Sequence, residues 1–146
     1  LTKMKQEDVL YSLEELGVNV RVYNKVESEL IIDKLVKRYC TSDRYAYPLW
    51  ENLKNSTSYY SPEGWKLIRD YFPDSRKLFF VEPMELNVIF DFENSFDIFT
   101  FLNNSVGFVF YLTNVEQSYL ICFNDHDFLI GTGNAGQWVD SQKYKS

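Results

Sequence analysis

The sequence is short of the residues from which most reactive centres are made. It has one histidine, His126, and two cysteines, Cys40 and Cys122. Two separated cysteines build neither a disulfide framework nor a four-ligand zinc site. There is no G-x-S-x-G elbow, no H-E-x-x-H, no EF-hand calcium loop and no G-x-x-x-x-G-K-[ST] phosphate loop. No apolar run reaches the ~18 residues of a membrane-spanning helix. The opening LTKMKQEDVLYS lacks the apolar centre of a signal peptide. The expectation is a cytoplasmic protein with no cofactor, no metal and no membrane partner.

Positive charge is missing from most of the second half. Between Lys77 and Lys143 there is no Lys or Arg, while the same window holds Glu82, Glu85, Asp91, Glu93, Asp97, Glu116, Asp125, Asp127 and Asp140. Residues 1–73 are balanced, with 11 basic and 11 acidic residues, so the net charge of −6 resides in the rest. Nucleic-acid binding needs cations that displace counterions, and such a surface repels phosphates. A basic protein partner suits it instead, with plain solubility as the simpler explanation.

What is abundant is aromatic: 12 Phe, 11 Tyr and 3 Trp among 146 residues. A chain of this length and hydrophobicity buries a sizeable core as one domain, residues 1–146. MKQEDVLYSLEELG repeats Val9, Leu13 and Leu16 at helical spacing and stops at Gly17. VNVRVY alternates as a strand. A helix is expected over Glu27 to Tyr39. Residues 40–60 mix turn formers with aromatics, with a short helix near Trp50. Ser61, Pro62 and Glu63 read as the cap and first turn of a helix ended by Pro73. Strands are expected in KLFFVEP, ELNVIFDF, VGFVFYLTN, SYLICFN and DFLIGTG, with a short helix in NSFDIFTFLNN capped by Asn94 or Ser95. The fold class is therefore α+β: N-terminal helices, then a mostly antiparallel sheet with one inserted helix. One sheet face is expected to pack on helices and the other to meet water.

Gly131, Gly133 and Gly136 match G-x-G-x-x-G, the glycine pattern of dinucleotide sites. Only Gln137 to Ser146 follow, too few for a crossover helix and a second strand. The glycines read as turn and close-approach positions. Just before them, Asn124, Asp125, His126 and Asp127 bring two carboxylates and an imidazole together. On an extended chain the two carboxylates face away from the imidazole. A hairpin connection is the simpler reading; a metal site or an acid/base pair is the sharper one.

YLICFNDHDFLIGTG resembles the ending of a group of small bacterial domains, with the pattern N-x-H-D-x-L-x-G-x-G at Asn124, His126, Asp127, Leu129, Gly131 and Gly133. Domains of this kind occur as immunity or antitoxin proteins. The chain is similar in size and class to the Smi1/Knr4-related group, but lacks that group's glycine-rich centre. The resemblance implies an α+β fold in a bacterial cytoplasm and a structural role for the motif residues. It supplies no mechanism.

The expected function is a non-catalytic binding protein that neutralises a basic toxin. Asp91, Glu93, Asp97, Asp125 and Asp127 would steer the encounter, and Tyr119 and Trp138 would anchor it. The alternatives are a small-ligand or metal-assisted enzyme domain built on Asp125, His126 and Asp127, and a self-associating module using free strand edges.

Overall fold

The computed structural model describes residues 5–71, 76–105 and 107–145. Three near-continuous apolar runs organise it. They form β3 (Lys77–Val81), β5 (Phe110–Thr113) and β6 (Tyr119–Phe123), and every residue in them is buried. β1 (Arg21–Val22), β2 (Thr57–Tyr60), β4 (Phe90–Phe92) and β7 (Phe128–Gly133) complete a seven-stranded sheet. All its pairings are antiparallel, in the order β1-β4-β3-β5-β6-β7-β2.

Side chains alternate between the two faces of a strand, so these runs supply two cores. On one face α2 (Lys25–Tyr39) places Ile32, Leu35 and Val36, with Leu49, over Leu78, Phe80, Tyr111, Leu120, Cys122 and Ile130. Phe80 and Tyr111 are register partners and stack at 5.0 Å. On the other face lie α1 (Gln6–Glu15), α3 (Phe96–Asn103) and α4 (Gly136–Gln142). They bring Val9, Leu13, Ile98, Phe101 and Val139 onto Phe79, Phe90, Phe110, Leu112, Ile121 and Leu129. Each large apolar side chain so buried contributes about 1.5–3 kcal/mol.

The α+β class stands, but the central strands β3, β5 and β6 have no wet face. Unbroken runs such as LFFV and YLIC are what two-sided burial looks like, and alternation is what a half-wet sheet needs. The segment 40–54 supplies part of the second cover, through Leu49 in a 3-10 helix at Leu49–Asn52. The same hard-to-read stretch also leads into β2, an edge strand that pairs with β7.

Several local expectations need correction. The helix expected from Ser61 is a 3-10 helix at Gly64–Asp70; the Ser61 carbonyl accepts Gly64 N–H at 2.8 Å in the turn before it. Its expected end at Pro73 lies outside the described residues. The strands at 18–23 and 85–92 shrink to β1 and β4. α2 starts earlier, at Lys25, because Asn24 and Glu27 form a capping box: Asn24 Oδ1 accepts Glu27 N–H at 2.8 Å, and Glu27 accepts Asn24 N–H at 3.1 Å. Gly17 ends the region of α1 at φ +69°, as expected. The ten residues after Gly136 do hold a helix, α4, although no second strand follows.

α4 explains the glycines. A Cβ on Gly131 would sit 2.6 Å from a Val139 methyl carbon and 2.8 Å from the Ala135 carbonyl oxygen, so the bare backbone lets the helix close onto β7. Gly136 has nothing nearer than 3.8 Å. Gly131→Ala should therefore lower unfolding free energy by about 1–3 kcal/mol. Gly136→Ala should leave it unchanged or raise it by up to about 1 kcal/mol. Urea denaturation of the two variants checks this.

Candidate functional site: the β6–β7 turn

β6 and β7 are joined by Asn124 to Asp127. Asn124 is buried, and its Oδ1 accepts the N–H groups of His126 at 3.0 Å and Phe128 at 2.9 Å. Its backbone bonds Phe128 and Asp127, and the Asp127 carbonyl accepts Ser61 N–H at 2.9 Å. Asp127 sits at φ 65°, a left-handed conformation that Asp adopts more readily than most residues. The hairpin reading of this motif describes the geometry: Asn124 forms the turn, and Asp125 and His126 are pushed into solvent.

The exposed pair does little chemically. His126 Nε2 lies 3.8 Å from Asp125 Oδ1, with side chains 65% and 45% exposed. An ion pair this wet contributes about 0–1 kcal/mol. Cys122 is buried under α2, and burial pushes its thiol well above the usual range. No thiolate–imidazole pair is formed with His126, because the strand ends at Phe123 and the turn carries the ring outward. Among the described residues no three His, Cys, Asp or Glu side chains gather as a metal site.

What the turn does have is aromatic company. The His126 ring meets Trp50 edge-on at 5.7 Å, and Phe128 meets Tyr60 at 5.5 Å. Phe128, Tyr60 and Tyr47 are exposed. On the other side of the turn lies a cavity of about 240 Å³, lined by Pro62, Trp65, Phe108, Phe110, Phe123 and Asp127 among others. Sequence reasoning placed none of these aromatics at the site. The mixed texture of residues 40–60 was the available signal, and it left open whether those rings face the core or a partner. The structure divides them: Tyr45 is half-buried and bonds inward, while Tyr47 and Tyr60 point out.

The expected acidic patch is divided too. The register pairs Val81 with Phe110 and Phe123 with Leu129 at one end of the sheet, and Lys77 with Phe92 and Tyr119 with Gly133 at the other. Asp125 and Asp127 are at the first end. Exposed Glu93 and half-buried Asp97 follow β4 at the second. Asp91 and Tyr119 are inside and present nothing to a partner. The Tyr119 hydroxyl accepts from Lys77 Nζ at 2.8 Å, in a fully buried contact. Trp138 is half-buried against Tyr71, ring centroids 4.7 Å apart.

Two carboxylates of the base-free window are structural. Glu82 is 2% exposed and accepts from the hydroxyls of Tyr45 and Tyr111, the latter at 2.7 Å, and from Leu49 N–H at 3.0 Å. Burial, reinforced by Glu82, pushes both phenols above their usual range, so they remain donors. Asp91 takes the Arg76 guanidinium, with Nε at 2.9 Å, and the Tyr23 hydroxyl at 2.8 Å. Burial alone would raise the Asp91 carboxyl; the bonds from Arg76 and Tyr23 and nearby positive charge outweigh it and hold it below the usual range.

The site thus belongs to an α+β domain with a sheet covered on both faces and an acidic, aromatic-flanked hairpin at one end. No protein-family model matches the chain, and no curated protein and no solved structure matches it either. Among the described residues no helix is long and apolar enough to cross a membrane.

Two measurements check this account. Asn124→Ala removes two bonds from buried turn amides and should cost about 1–3 kcal/mol of stability, whereas His126→Ala should change it by about 0.5 kcal/mol or less. Asp91 has a depressed folded pKa, so its contribution is present above the unfolded aspartate value and is lost as pH falls through the lower folded value. Arg76→Ala should destabilise by about 1–3 kcal/mol at neutral pH. Its deficit against the parent should shrink as pH drops below about 4, where an unpaired Asp91 takes up a proton. A pH-independent deficit would mean that Arg76 acts through packing alone.

Proposed function

We propose that this chain is a non-catalytic acidic binding protein of the immunity or antitoxin kind, which neutralises a basic protein toxin by direct contact. One observation supports the reading above others. The β6–β7 turn holds Asp125 and Asp127 on a hairpin fixed by Asn124, beside exposed Tyr60 and Phe128 and the half-buried Trp50. Aromatic anchors with satisfied, rigid backbones cost little entropy on binding, and carboxylates around them speed a basic partner's approach. The resemblance in the same turn agrees with such a role. Glu93 and Asp97 lie at the far end of the sheet, so steering is shared between two ends while docking is assigned to one.

The competing enzyme reading would use Asp125, His126 and Asp127 on substrate. Asp125 and His126 are exposed, and the backbone amides of His126 and Asp127 are already bound to Asn124. The self-association reading draws on the open edge of β2.

The test starts with capture from the source organism at low and high salt, followed by mass spectrometry. The expected partner is one basic protein, retained at low salt and weakened at high salt, whose toxicity in cells is abolished by co-expressing this chain. Asp125→Lys should then slow association about tenfold or more at low ionic strength. At about 1 M salt, where the screening length is about 3 Å, the difference should vanish. Recovery of the bait alone, with light scattering showing a homo-oligomer, would replace this reading by self-association.

A further inference from the structure

We infer that the cavity beside the β6–β7 turn is a receptor for a single arginine side chain of the basic partner. The inference rests on the binding reading above and names the chemistry that the site would recognise.

Size comes first. The cavity holds about 240 Å³, below the roughly 300–1,000 Å³ of sites that enclose drug-sized ligands and cofactors. It suits one long side chain. Its walls come next. Phe110 and Phe123 are buried, and Trp65 and Phe108 are half-buried around them. Such rings accept a methylene stem by apolar contact and a cation by their faces.

Charge then selects the occupant. Among the described residues Asp127 is the one ionisable group in the lining, and no described Lys or Arg lines the cavity. Its backbone is bound on both sides, but its carboxylate makes no hydrogen bond or ion pair with any described residue. Lys66, whose Nζ lies 5.5 Å from the Trp65 ring centroid, is engaged by Glu63 at 2.5 Å and is not among the lining residues. An apolar partner side chain would fill the aromatic walls and leave this carboxylate idle. A guanidinium fills them and offers Asp127 two parallel N–H donors, while its plane stacks on the rings. Lysine would keep the charge and lose both the fork and the stacking.

The experiment uses amide chemical shifts of the labelled chain during titration with N-acetyl-arginine methylamide. N-acetyl-citrulline methylamide, its neutral isostere, is the comparison. The expected result is millimolar arginine binding with shifts confined to Trp65, Gly107, Phe108 and Asp127, and citrulline at least tenfold weaker. Asp127→Asn keeps a residue that tolerates the left-handed backbone, and should bring the arginine probe down to the citrulline level. Glu116→Gln removes the same charge at an exposed turn outside the cavity, and should change nothing. Equal binding of the two probes, shifts scattered over the acidic surface, or no shift at all would each overturn the proposal. If a basic toxin is captured while the arginine probe fails, only the cavity assignment falls. If the probe binds as expected and no basic partner is captured, the toxin reading falls and the guanidinium site stands.

Discussion

The central strands of this protein meet no water on either face. β3, β5 and β6 are buried throughout, so each residue along them must satisfy one of two cores. That constraint reaches beyond the apolar side chains. A carboxylate or ammonium in such a layer must be fully bonded, because an unpaired buried polar group costs about 1–3 kcal/mol or more. Glu82 is met by two phenols and a backbone amide, and those bonds tie the 45–50 segment over the α2 face. Asp91 is met by Arg76 and Tyr23, and Lys77 donates to Tyr119. The polar groups inside are therefore spent on holding layers together.

Central strands sealed on both faces leave the functional groups to the strand ends and the sheet edge. At the β6–β7 end the chain turns within four residues, and a buried Asn124 satisfies the amides that the turn would otherwise strand. The turn separates two surroundings. On the side of Ile130 lie Phe128, Tyr60 and Trp50; on the side of Leu129 lies the aromatic cavity with Asp127 at its edge. A rigid hairpin between an exposed aromatic rim and a recess offers a partner both a surface and a socket. Further along β7, the missing side chain of Gly131 is used for close packing, since it lets α4 approach the strand.

Much of this architecture was legible in the residues. Helical spacing of Val9 and Leu13, the apolar strand runs and the late helix in NSFDIFTF specify the α+β class by local pattern alone. The turn role of Asn124 was legible as well, because Asn bonds the backbone amides just ahead of it wherever a hairpin reverses. Two-sided burial was written in LFFV and YLIC but read against the habit of antiparallel sheets. Burial of Glu82 and Asp91 had a signal too: Glu82 directly follows the apolar strand run FFV, and Asp91 lies inside the strand FDF.

Other features have no local trace. β2 is a strand only because β7 offers it an edge, and the segment after Ser61 takes a 3-10 path only because of what it packs against. Charge counted along the chain cannot say that Asp91 faces Arg76, or that Glu93 and Asp125 lie at opposite ends of the sheet. Sequence by itself determined the fold class, the number of acidic groups and the hairpin at Asn124, because propensity and periodicity act over a few neighbouring residues. Tertiary structure alone decided which acids are exposed, which rings surround Asp127 and that they enclose a cavity, because those depend on register between strands far apart in the chain.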